Sequence, residues 1–367
     1  MKAYRSFNKI TRSSTVLGLI SASALVLFFI RSSTAIDYMK KGLKLCSATV
    51  IPALFPFMVI SELVVYSGLG RIIGKMISKP VKLLFGISES CACAFALGIL
   101  CGFPIGAKTL CSLYDKGDIS RQEIERAMIF CNNPGSAFVI NAVGLSIFGN
   151  KRIGIMLYIV VILSSLILGI SARIILGRVS ENKKTPPFSV NVPEKAEGVS
   201  IFIRAITGSA SSMLSVCALV VFFSALVGCI GSILSDIGAD IGVIAALGAF
   251  FELSSGVSIC AELKPHYAIL LCSAALGWSG ISVHLQIASI CSGLDISLKP
   301  YIISKAFQSV ICFILTALAL KIFPLSNNAF LQASNTTAYS NATFLCVIFF
   351  LAAVLPIIPY AVKRLNQ

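Results

Sequence analysis

Apolar runs near the ~20 residues needed to cross a bilayer recur along the whole chain, and that recurrence leaves few folds open. Ten can be marked, at about 13–30, 46–68, 87–111, 128–149, 153–172, 206–232, 241–260, 267–291, 303–322 and 343–362. A soluble domain carries about 25% charged residues. This chain of 367 residues carries 12%, against 57% hydrophobic, which is too little polar surface to cover a water-soluble globule. The expected class is an all-α polytopic membrane protein.

The net charge of +15 does not point to nucleic acid. Basic residues are scattered rather than gathered with a binding motif, and an excess of Lys and Arg in cytoplasmic loops is the usual cause in a membrane protein. The thirteen cysteines lie almost wholly inside apolar runs, without Cys-x-x-Cys pairs, and the two histidines are far apart. Cysteine there acts as a small hydrophobe, so neither a disulfide framework nor a metal site is expected, and no cofactor. Lys2, Arg5, Lys9 and Arg12 precede the first apolar run and "SSTA" follows it. That is the outline of a signal peptide, but with so many spans after it the expectation is a retained first span.

A polar stretch between Arg173 and Arg204, containing "ENKKTPPFSVNVPEKAEG", divides the chain into halves. The expected organisation is a basic tail and first span (1–39), a first repeat (40–177), a linker (178–205), a second repeat (206–325), and a loop with a last span (326–367). Ser120 and Glu123 in "DISRQEIER" form a capping box, which predicts a helix from Ser120 into the fourth segment.

The halves match in order. "ALFPFMVISELVVYSGLG" resembles "SSMLSVCALVVFFSALVGCIG". "GFPIG" interrupts the third segment where "FELSSG" interrupts the seventh, and "CNNPGSAFVINA" in the fourth corresponds to "GWSGISVHLQIA" in the eighth. Paired interrupted segments point to a secondary transporter's binding site. Loop charge agrees. If all ten segments cross, Lys and Arg divide evenly between the two sides. If the third and seventh are re-entrant hairpins, with the N-terminus cytoplasmic, the cytoplasmic side holds a large excess. Each half then has an odd number of crossings, so the expectation is two inverted repeats, each with a re-entrant hairpin and a broken helix.

Irregular backbone at membrane depth is tolerated only where protein or a water-filled cavity surrounds it. Gly102, Phe103, Pro104 and Gly106 therefore mark an interior tip or break, and Lys108 follows it. A charge at that depth costs at least ~2.5–3.5 kcal/mol, which makes Lys108 a candidate partner of a substrate carboxylate or of Glu252, unless it snorkels to an interface. Glu252, beside Ser254, Ser255 and Gly256, could hold a coupling cation, take a proton, or pair with Lys108. Asn132, Asn133, Gly135 and Ser136 offer amides and a half-helix N-terminus suited to an anion. Ser279, Gly280, Ser282, His284 and Gln286 are their counterparts. The alternating Ser282, His284 and Gln286 share a face only if that stretch is extended. His284 is a ligand contact or a hydrogen-bonded packing residue, and Trp278 stacks on an aromatic substrate or fills space. Nucleophile–base spacing, nucleotide loops and dinucleotide fingerprints are absent, which argues against an enzyme.

"GFPIGAK", "CNNPGSAF", "FELSSG" and "GWSGISVHLQ", in this order, resemble the sporulation integral membrane proteins of the YlbJ type, over roughly residues 40 to 325. That family sits with the nucleoside-recognition "Gate" domain proteins, whose architecture is related to concentrative nucleoside transporters. The resemblance implies a role in endospore formation, moving dipicolinic acid across the outer forespore membrane toward the spore. A lysine, amides, helix N-termini and an aromatic are plausible partners for a flat dicarboxylate. The expected partners are thus a small organic anion (dipicolinate), a coupling H+ or Na+, the lipid bilayer, and possible further copies of the chain. A nucleoside or other small-metabolite carrier, and a non-transporting sporulation scaffold, remain the alternatives.

Overall fold

The computed structural model describes residue 15 and residues 18–67, 69–177 and 198–322. The basic tail, most of the polar linker, and the final loop with the tenth segment fall outside the described residues. Every regular element among the described residues is helical. Five helices are long and apolar enough to cross a membrane, or six if one bent pair forms a single span.

Among the described residues the first helix is α1 (Gly18–Ile30), apolar but shorter than these spans, and α2 (Ser32–Leu45) follows it. A π-helical turn at Cys46–Val50 joins α2 to α3 (Ile51–Tyr66), making one long span. Helix α4 (Leu69–Phe85) falls between two expected segments and was not among the ten. It meets α5 (Glu89–Leu100) at 96° and exposes Leu69, Ile72, Met76 and Leu83 beside Lys75, Lys79 and Lys82. An apolar stripe edged by lysines is the pattern of a helix lying in a membrane interface. At its far end the Phe85 ring packs 5.0 Å from Phe95 and 4.5 Å from Phe130, pinning the bend.

Helix α6 (Ile105–Asp115) folds back on α5. The arms touch at glycine, since a Cβ on Gly98 would lie 3.4 Å from the Gly106 Cα. Eleven or twelve residues span about 17 Å, half of a ~30 Å hydrocarbon core, so neither arm crosses alone. The capping expectation holds for α7 (Arg121–Cys131), where Ser120 Oγ accepts from the Glu123 N–H at 3.3 Å. Glu123, however, does not return the bond, because its carboxylate accepts from the Ser88 N–H at 2.6 Å and so ties α7 to the start of α5. Ser120→Ala should lower stability by about 1 kcal/mol, read as a reduced Tm in detergent, with Ser120→Asp restoring it.

After a break at Asn132–Gly135 comes a π-helical segment, Ala137–Ile147, then α8 (Lys151–Leu176), capped by Asn150. Helix α9 (Gly198–Asp236) takes in the end of the expected linker, whose boundary therefore moves to Gly198. Helices α10 (Ile241–Phe251) and α11 (Leu253–Cys260) form the second fold-back, again at glycine, with a Cβ on Gly248 3.2 Å from the Gly256 Cα. Helices α12 (Pro265–Trp278) and α13 (Ile281–Ile290) are one interrupted span, and α14 (Lys299–Ile322) follows.

The outside is apolar. Ile30, Ile174, Leu214, Leu318 and Ile322 are exposed, as lipid-facing residues must be and as a water-soluble surface would not tolerate. The chain is an integral membrane protein.

Candidate functional site

Each fold-back is seated against the break that follows it in sequence. At the first, Gly102 has φ of +80° and a Cβ there would lie 2.2 Å from the Gly135 nitrogen, so only glycine admits the contact. The Phe103 N–H donates to the Asn133 carbonyl at 2.8 Å, and Ser136 Oγ donates to the Leu100 carbonyl at 2.9 Å. Pro104 is the N-cap of α6, and Gly106 lies against the last carbonyl of α7. At the second, Ser279 and Gly280 both take positive φ, +75° and +84°, and a Cβ on Gly280 would sit 3.0 Å from the Leu253 nitrogen. The Trp278 indole N–H donates to the Phe250 carbonyl at 2.9 Å, and the two rings stack. Ile105, Val139, Leu253 and Trp278 share one buried cluster, and Cys111 Sγ of α6 lies 3.4 Å from Cys291 Sγ just past α13. The first fold-back thus meets the broken helix of the second half.

Glu252 is 2% exposed and both its oxygens are used locally, accepting from the Ser254 N–H at 2.9 Å and the Ser255 N–H at 2.6 Å. It is the N-cap of α11, which answers two of the orphan donors at that helix start. It is not the partner of Lys108. That partner is Glu62 of α3, with Lys108 half-exposed and Glu62 largely buried. Gly208 of α9 faces this pair at about van der Waals distance, and the Tyr66 phenol faces Glu62.

The polar residues of α13 do not line one face, because the stretch is helical and spreads them around the axis. All three are nevertheless buried. Ser282 Oγ, His284 Nε2 and Gln286 Oε1 have no protein partner, while His284 Nδ1 lies 3.1 Å from the Tyr301 hydroxyl. Trp278 is 1% exposed and its faces meet Phe250 and His284, so in this conformation it is core and offers no open ring. Gly256 is likewise buried in the α10–α11 contact.

The break in the fourth segment is packed with polar bonds. Asn133 Nδ2 donates to the Phe130 carbonyl at 2.8 Å and to Ser165 Oγ at 3.2 Å, and Asn133 Oδ1 accepts from Gln308 Nε2 at 2.8 Å. Lys305 of α14, fully enclosed, donates to the Asn132 carbonyl and to Gln308 Oε1 at 2.7 Å. Asn132 Oδ1 faces Gly106 without a partner.

A cavity of about 360 Å3 opens between α2, α9 and α11. Its charged lining is Lys41, Lys44 and Glu262, with the Tyr38 ring, Ser224, Ser255 and Ser258 beside them. The Lys41 ammonium sits 4.2 Å from the Tyr38 ring centre, and Ser224 and Ser255 share a hydrogen bond of 2.6 Å. Of the expected residues only Ser255 lines this cavity. The volume is that of a small-molecule site.

Glu62, Lys305, Lys41 and Lys44 were missed in the sequence. Glu62 and Lys305 carried the same signal as Lys108, a charge inside an apolar segment. Lys41 and Lys44 carried none, since lysines before a span also read as loop charge.

The chain is 30% identical over 305 residues to the Sporulation integral membrane protein YlbJ of Bacillus subtilis (strain 168), a match covering 74% of each chain. No protein-family profile matches it, and no solved structure matches it.

Proposed function

The chain belongs to the family of YlbJ-type sporulation integral membrane proteins, and we propose that it is a carrier, not an enzyme, that moves a small organic anion, dipicolinate, across the outer forespore membrane during endospore formation. The observation that carries this reading is the repeated seating of a fold-back tip on the next broken segment, Gly102 on Gly135 and Glu252–Leu253 on Gly280. Two such units in one order support inverted repeats, two re-entrant hairpins and a midplane path between them, with the N-terminus cytoplasmic.

In this reading the anion enters the cavity beside Lys41, Lys44 and Ser255. Two ammonium groups against one carboxylate leave the lining net positive, and a ring with two carboxylates fits an aromatic and cationic wall. Farther in, Lys108 is held by Glu62 until a substrate carboxylate takes Glu62's place. The unpartnered Ser282, His284 and Gln286 atoms are polar groups that a passing solute could satisfy. Neutralising Lys41 and Lys44 together, as Lys41→Gln/Lys44→Gln, should raise the KM for dipicolinate about 5- to 30-fold with Vmax little changed, since each exposed charge contributes about 0.5–1 kcal/mol. Uridine should not enter, with or without the change. An unchanged KM for dipicolinate would remove the cavity from the path. A nucleoside carrier is the second reading, favoured by the uncharged polar groups of α13 alone.

A further inference from the structure

Lys305 is buried at 0% exposure in the middle of the fold, yet no described Asp or Glu forms an ion pair with it. Its ammonium instead meets three neutral oxygens, the Asn132 carbonyl, Gln308 Oε1 at 2.7 Å and Asn133 Oδ1 at 3.5 Å. Two of these oxygens are close and the third lies at the outer limit of a hydrogen bond, a set that the three N–H donors of an ammonium can meet. The Asn132 carbonyl caps the C-terminal end of α7, where the helix dipole is negative and carbonyls are left unpaired. Asn132 Oδ1, by contrast, faces Gly106 and is buried without a partner.

Unwound backbone carbonyls and half-helix C-terminal ends are the groups by which broken membrane helices hold Na+, and the amide oxygens here are neutral oxygen donors of the same kind. Here the positions come from three elements, α7, its break and α14, and a lysine from the second half fills the centre. Gln308 is held in place by donating to Asn133 Oδ1 and, at 3.1 Å, to Ser164 Oγ, so the oxygens are fixed by bonds other than those to the lysine.

We propose that this oxygen cage is a monovalent-cation site permanently occupied by the tethered Lys305 ammonium, so that the chain needs no bound Na+. The inference rests on the carrier reading only where it concerns coupling. The cage belongs to the fold, and its test needs no cargo.

The test is the Tm of purified protein in detergent, in NaCl, KCl, LiCl and choline chloride at one ionic strength. Wild type should melt within about 1 °C in all four, because the site is filled. Lys305→Ala should melt lower in choline and recover by about 3 °C or more in a saturable way with one of the metal cations, Na+ foremost. Lys305→Ala/Gln308→Leu, lacking one cage oxygen, should lose that recovery. Wild type stabilised by Na+ over choline would overturn the proposal. So would a Lys305→Ala protein indifferent to all cations, or one that misfolds in each of them, since an ion cage would refill. A recovery that survives the Gln308 change would place the ion elsewhere and also overturn it. If dipicolinate is never carried, these outcomes are unaffected.

Discussion

Gly98→Ala protein is expected to be recovered almost wholly misfolded. A Cβ at this position would lie 1.9 Å from the Cys131 carbonyl oxygen, and one at Gly106 would lie 2.2 Å from the same atom. The obstacle is backbone at the last turn of α7, so no side-chain rotation relieves it. Relief requires the first fold-back to move away from the break it rests on, which separates α5, α6 and α7 together. Overpacking a tight core costs about 1–3 kcal/mol when side chains can shift, and a backbone clash at this distance should exceed that range. Gly106→Ala should fail similarly. Gly208→Ala is the control, because its nearest neighbours are at 3.9 and 4.0 Å and alanine favours a helix. The measurement is the monodisperse fraction after extraction, with Tm for whatever is recovered. A well-folded Gly98→Ala protein would mean that the fold-back does not rest on α7.

The second large effect concerns the Lys108–Glu62 pair, which has both a packing and a carrying role to separate. Lys108→Gln leaves Glu62, largely buried, without its cation, and should destabilise by about 1–3 kcal/mol once the partial exposure of Lys108 is discounted. Glu62→Gln/Lys108→Gln removes both charges and should restore most of that stability. Transport should not recover with it. A charge-assisted bond to a carboxylate contributes about 1.5–3 kcal/mol, so dipicolinate uptake should fall about 10- to 150-fold in both Lys108 variants. Glu62→Gln alone frees the ammonium and should lower the KM instead. If the double variant recovers uptake as well as stability, the pair is a structural brace and the anion path lies elsewhere.

Much of the fold is legible because the bilayer enforces simple rules. The glycine and proline breaks at Gly102–Gly106 and Asn132–Gly135 and the Ser120 cap each follow from local chemistry, and the structure has them at those places, whereas of the ten expected segments only five or six spans stand among the described residues. Helix α4 was not legible as a helix. Its lysines recur among apolar residues, so hydropathy averages out while the two faces differ strongly, and a search for spans passes over it. The site was legible in its backbone and less so in its charges. The sequence offers Lys108 and Glu252 as two opposite charges in matching segments, and pairing them is the economical guess. Glu252, however, follows directly on the break and is used within three residues, by the free N–H groups of α11. A carboxylate at a helix start is satisfied locally before any distant lysine competes, and that rule was available from "FELSSG" itself. Lys305 shows the opposite case. Its partners are uncharged oxygens, Gln308 one turn along α14 and Asn132 and Asn133 far away in sequence, and no residue pattern announces a cation held by carbonyl and amide groups.

Carriage of dipicolinate past Lys108 is tested by uptake of labelled dipicolinate, with uridine in parallel, by non-sporulating cells producing the wild-type chain or Glu62→Gln/Lys108→Gln. Dipicolinate should enter saturably, the double variant should lose that entry at equal membrane insertion, and uridine should enter in neither. Uridine entry alone, or no entry of either solute by correctly inserted wild-type protein, would contradict it.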